Sequence, residues 1–72
     1  MIEQTEVDAL VEEAKGCLRA GKGAKAIELL QQVVDADADC LRAHEALAAA
    51  YYHSSKFEQA IEHFRVVLRL DP

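Results

Sequence analysis

The stretch Phe57-Glu58-Gln59-Ala60-Ile61-Glu62-His63-Phe64 decides the fold, because Gly23-Ala24-Lys25-Ala26-Ile27-Glu28-Leu29-Leu30 precedes it by 34 positions and carries the same pattern. The run Ala-Ile-Glu recurs whole, as residues 26–28 and 60–62. Working outward at the same offset, Ala9 pairs with Ala43, Ala14 with Ala48, Lys22 with Lys56, Val33 with Val67 and Asp37 with Asp71, completing eight identities in 34 positions. Val7/Leu41, Leu18/Tyr52, Leu30/Phe64 and Val34/Leu68 match in apolar character. A period of 20–50 residues marks a stacked-repeat architecture, in which each unit buries its apolar face against a neighbour. The chain therefore divides into residues 1–4, aperiodic and expected to be disordered, a first repeat over 5–38 and a second over 39–72. Binding, not chemistry, is what such a stack usually performs.

Within each repeat the apolar spacing predicts a pair of helices. Val7, Leu10, Val11, Ala14, Cys17 and Leu18 recur at three- and four-residue steps, the signature of an amphipathic helix. Thr5 with Asp8 resembles a capping box at its start. Gly21-Lys22-Gly23 ends it, since glycine takes the left-handed backbone of a helix C-terminus without steric cost. A second helix is expected over 24–36, with Ile27, Leu30, Val33 and Val34 inward. Asp37-Ala38-Asp39 supplies acceptors for a turn and the next helix start. A third helix over 41–53 buries Leu47, Ala48, Tyr51 and an edge of Tyr52, and Ser54-Ser55 breaks it. A fourth over 57–70 presents Ala60, Ile61, Phe64, Val67 and Leu68. Asp71-Pro72 follows, and proline does not continue a helix. No segment alternates with period two, so the fold class is all-α, four antiparallel helices.

The second repeat, with Leu47, Ala48, Tyr51, Phe57, Ala60, Phe64 and Pro72 at their family spacings, resembles a tetratricopeptide repeat. His44 stands where that pattern has a large aromatic residue. The first repeat is looser: it keeps Ala14, Ala26 and Leu30 but has Leu10, Glu13, Cys17, Gly23 and Ala38 at the other pattern positions, as edge repeats often do. The resemblance implies a right-handed α-solenoid fragment that serves as a protein-interaction scaffold. It also implies that the first helix of each pair lines a groove for a partner peptide. Carried over by position, the groove residues are Asp8, Val11, Lys15, Leu18 and Arg19 in the first repeat and Arg42, Glu45, Ala49, Tyr52 and His53 in the second. A clamp for a chaperone's C-terminal carboxylate is not expected, since the chain lacks asparagine and has Glu45 and Ala49 at clamp positions.

Two readings of the groove side chains stay open. Lys15, Arg19 and Arg42 form a basic strip for an acidic peptide, or they are solvated residues paired with Asp8, Glu12 or Glu45. Tyr52 is an amphipathic ring of the kind enriched at binding hot spots, or it packs against Leu18.

Composition narrows the function classes. Eight Lys and Arg against 13 Asp and Glu give a net charge of −5, which argues against nucleic acid. The longest apolar stretch, Ala46–Tyr52, is far short of the ~20 residues needed to cross a bilayer. Met1-Ile2-Glu3-Gln4 has no signal-peptide character, and a cytoplasmic location is the expectation. Cys17 and Cys40, about 15 Å apart by helix rise, are expected to stay reduced. His44 and His53 lie nine residues apart on one helix, about 13 Å in rise, too far to share a metal. His63 is expected beside Glu62, toward solvent or a following repeat. Cys17 and His53 lack the glycine loop of a nucleophilic site, and Asp35, Asp37 and Asp39 lack the glycine and glutamate of a calcium loop. No catalytic residue, metal or cofactor is expected.

Two rival functions remain beside peptide binding. No capping helix follows the second repeat, so the fourth helix is expected to expose apolar side chains among Ile61, Val66, Val67 and Leu70. That face would support homo-oligomerisation as a self-associating structural module. Alternatively, the stack is a regulatory segment of a longer, multidomain chain.

Overall fold

The computed structural model describes residues 3–72, four helices in the order α1 (Gln4–Arg19), α2 (Gly23–Ala36), α3 (Leu41–His53) and α4 (Phe57–Leu70). The expectation of disorder over 1–4 falls partly on residues outside those described. Of the rest, Glu3 is the N-cap and Gln4 already helical. Each helix packs on the next in sequence, α1 also touches α3, and α4 meets only α3. The result is a slab of 31 × 30 × 16 Å, two helix pairs stacked side by side.

Both helix hairpins close by the same device. In the first repeat, Lys22 N–H donates to the Cys17 carbonyl at 2.7 Å and Gly21 N–H to the Leu18 carbonyl at 3.1 Å. In the second, Lys56 N–H donates to Tyr51 at 2.8 Å and Ser55 N–H to Tyr52 at 3.0 Å. These are Schellman closures, in which one residue beyond the helix must turn left-handed so that the last carbonyls find donors. That residue is Gly21 at φ 77° in one repeat and Ser55 at φ 61° in the other. Gly23 answers a different demand. A Cβ there would lie 3.2 Å from the Ser54 hydroxyl, so the end of α3 approaches the first repeat closely where that repeat has no side chain.

The helix starts differ from expectation. No helix has a side-chain N-cap bond: Thr5 lies inside α1, and Cys40, not Asp39, is the cap of α3. Gln4 instead donates to Asp8 at 3.0 Å. Asp37 organises the inter-repeat turn, its carboxylate accepting from Asp39 N–H at 3.2 Å and its carbonyl from Cys40 N–H at 3.2 Å.

The core runs through α1, α2 and α3. Val11, Ala14, Ala26, Leu30, Val33, Ala43 and Leu47 have no exposed surface, and Leu10, Cys17, Ile27, Val34 and Tyr51 pack partly buried around them. Small residues concentrate on α3, where Ala43, Ala46, Ala48 and Ala50 are all buried between two neighbouring helices. Only a short side chain lets a central helix approach both sides closely. By contrast, α4 buries Ala60 alone. Ile61, Phe64 and Leu68 are 49%, 46% and 66% exposed, as expected for Ile61, because nothing among the described residues stacks on the far side of α4.

Candidate functional site

Where α1 and α3 lie beside each other, Lys15, Leu18, Arg42, Glu45, Ala46 and Ala49 line a depression of about 320 Å³. Leu18, Ala46 and Ala49 give it an apolar floor. The spacing explains the grouping: Lys15 and Leu18 are one turn apart on α1, and Arg42, Glu45, Ala46 and Ala49 follow at one-turn steps along α3.

Electrostatics on its rim are largely satisfied from within. Arg42 forks back to α1, one guanidinium nitrogen 2.5 Å from an Asp8 carboxylate oxygen and the other 3.1 Å from Glu12. Lys15 lies 3.5 Å from the same Glu12 oxygen. Of the two readings of the basic strip, the structure therefore favours pairing for Lys15 and Arg42. Arg19, exposed at the end of α1, makes no ion pair among the described residues. Asp8 and Arg42 occupy the same position in successive repeats, so this bridge links equivalent turns of the stack.

The remaining sequence-nominated residues lie elsewhere. Val11 has no exposed surface and belongs to the core, on the same buried stripe of α1 as Val7 and Ala14. Tyr52 is 57% exposed, but its ring packs edge-on against Phe57 and His53, at centroid distances of 5.5 and 5.7 Å. It is not among the residues lining the depression, and through Phe57 it extends the exposed face of α4. His53 is exposed beside it.

A polar pair that the sequence reading missed sits between α3 and α4. His44 is buried, with Nε2 2.7 Å from the Ala38 carbonyl and Nδ1 2.9 Å from His63 Nδ1. The first contact requires a proton on His44 Nε2, so neutral His44 accepts at Nδ1 and His63 donates. His63, expected to face outward, turns in and stacks on Tyr51 at 5.6 Å. Burial, and secondarily the neighbouring His44, hold the His63 pKa below its usual 6.5, against an opposing effect of Glu62. The missed signal was positional. At the 34-residue offset His44 and His63 stand where the first repeat has Leu10 and Leu29, two members of its core.

No group of three or more His, Cys, Asp or Glu side chains is placed to hold a metal ion among the described residues. Cys17 and Cys40 are separate free thiols, both half-buried. Among the described residues no helix is long and apolar enough to cross a membrane.

Helix pairs stacked in register, with a depression lined by the first helix of each, define an α-helical repeat scaffold. The chain matches the tetratricopeptide repeat family over residues 11–72 and belongs to it. No match is found among curated proteins. Members of the family generally mediate protein–protein interaction, and their repeats are typically non-catalytic scaffolds.

Proposed function

We propose that the chain binds a peptide segment of a partner protein in the depression between α1 and α3, through Lys15, Leu18, Arg42, Glu45 and Ala49. The observation that carries this reading is that residues of both repeats converge on one apolar-floored depression. A ligand there is anchored by an apolar side chain on Leu18, Ala46 and Ala49, because the neighbouring cations already have carboxylate partners. Acidic groups on the peptide act second, by displacing Glu12 from Lys15 or by reaching Arg19, which has no ion-pair partner among the described residues. Asp8 contributes by holding Arg42 in place. The setting fitted by two half-buried free thiols is the reducing cytoplasm.

Selection of displayed random peptides on the immobilised protein tests the proposal. Enriched peptides carrying an apolar anchor, lost on Ala49→Arg but retained on Ile61→Glu, are expected. Peptides indifferent to Ala49→Arg would remove the groove assignment.

A further inference from the structure

The uncovered face of α4 has an order of its own. Phe57, Ile61, Phe64 and Leu68 are 52%, 49%, 46% and 66% exposed, and they follow one another at steps of four, three and four residues. That is the spacing of a seam along which a second helix packs. Of their counterparts on α2, Leu30 is fully buried and Ile27 and Val34 pack against the core. The face is therefore built for a helix, and on α4 none is present among the described residues.

Three observations choose the occupant. First, the flanks of the seam differ: Ala60 and Val67 line the side packed toward α3, with Ala60 buried, whereas Glu58 and Arg65 line the open side. Second, α4 is acidic in its first half, at Glu58 and Glu62, and basic in its second, at Arg65 and Arg69. An antiparallel copy reverses that order, so the open flank of one α4 faces the open flank of the other and Glu58 meets Arg65 of the second copy twice over. A parallel copy would bring its open flank against the side that α3 already occupies. Third, head-to-tail stacking onto α1 is disfavoured by polarity. Exposed Glu13 on α1 stands where α3 has buried Leu47, and no large hydrophobic side chain of α1 is exposed.

We infer that the α4 face pairs with the same face of a second copy of this chain, as a closed antiparallel two-fold dimer with Ile61 and Phe64 at its centre. An isologous contact of this kind uses up both apolar faces and leaves no site for further growth. The apolar seam supplies affinity, and the Glu58–Arg65 pairs set direction. Both α1–α3 depressions stay open on the outside, so this pairing is independent of peptide binding.

Sedimentation equilibrium of the whole chain, from micromolar to millimolar concentration, tests the inference. A monomer–dimer equilibrium is expected, weakened at least ~30-fold by Ile61→Glu, as for loss of a central hot spot. Circular dichroism should show unchanged helix content, since Ile61 is half exposed. Glu58→Arg alone should weaken the dimer, and adding Arg65→Glu should restore it. A wild-type chain that stays monomeric overturns the inference and reserves the face for a helix from elsewhere. A dimer indifferent to Ile61→Glu, an open-ended series of oligomers, or a charge swap without rescue would also overturn it.

Discussion

Helices α2 and α4 carry equivalent apolar positions, and only α2 is covered. Leu30 and Phe64 occupy the same place in their repeats, yet Leu30 has no exposed surface and Phe64 is 46% exposed. The difference teaches that the repeat pattern encodes a face, and that the neighbour decides whether the face becomes core. In a stack, each unit's stability is partly borrowed from the next. The second repeat fits the family pattern better, and nonetheless the large hydrophobic side chains left exposed, Tyr52, Phe57, Ile61, Phe64 and Leu68, all belong to it among the described residues.

Substitutions at equivalent positions break or sharpen this comparison. The largest effect is expected from truncating the paired apolar residues. Leu30→Ala should cost about 2–5 kcal/mol as a large-to-small core change, enough in a chain this small to abolish a cooperative urea transition. Phe64→Ala, measured at concentrations where the chain is monomeric, should cost under ~1 kcal/mol. Equal losses at both sites would erase the distinction between covered and uncovered faces.

The histidine pair comes next. His44→Ala strands the Ala38 carbonyl and the His63 ring, at a cost of about 1–3 kcal/mol. The pair also carries a pH dependence. His63 binds its proton less readily folded than unfolded, so stability is fully present above pH 6.5 and is lost as pH falls toward the depressed folded pKa. Thermal melts should show that loss, and His44→Leu with His63→Leu, which copies Leu10 and Leu29, should flatten it. An undiminished acid loss in the double variant would place its origin elsewhere.

Smaller effects are expected at the hairpin turns and on the surface. Ser55→Gly relieves a left-handed non-glycine residue and should stabilise by about 0.5–1 kcal/mol, while Gly21→Ala should destabilise by about 1 kcal/mol. A Cβ at Gly21 meets nothing within 4 Å, so that cost is conformational alone. Least of all, Arg42→Met should cost under ~1 kcal/mol because the bridge is solvent-exposed. Its effect should shrink further in high salt.

The helices themselves were legible from periodicity and breakers. The bounds of α3 and α4 agree with the reading residue for residue, and α2 starts one residue early, at Gly23. Helix starts were less so. Thr5 and Asp39 have the chemistry of caps, but capping also needs the residue outside the helix, and the core places Val7 so that α1 begins before Thr5. The inward turn of His63 was hidden for a related reason: it depends on which neighbour a helix meets, which its own period does not state. Val11 stood on the apolar stripe of α1, and only the position carried over from the family put it in the groove. The open face was foreseen on α4, but Val66, Val67 and Leu70 are half-buried, and its most exposed large hydrophobic side chains are Leu68 and the N-terminal Phe57. Of the groove set, Lys15, Leu18, Arg42, Glu45 and Ala49 share one depression because equal spacing on two side-by-side helices brings equivalent turns together. Tyr52 and His53 end the helix beyond it.

Hydrogen exchange, followed amide by amide at dilute and concentrated protein, tests the contrast between α2 and α4 most directly. The covered helix should be protected at both concentrations. The uncovered one should exchange faster when dilute and gain more protection than α2 on concentration, as a second copy covers Ile61 and Phe64. Equal protection of the two helices in dilute solution, or a concentration effect spread evenly along the chain, would contradict the account.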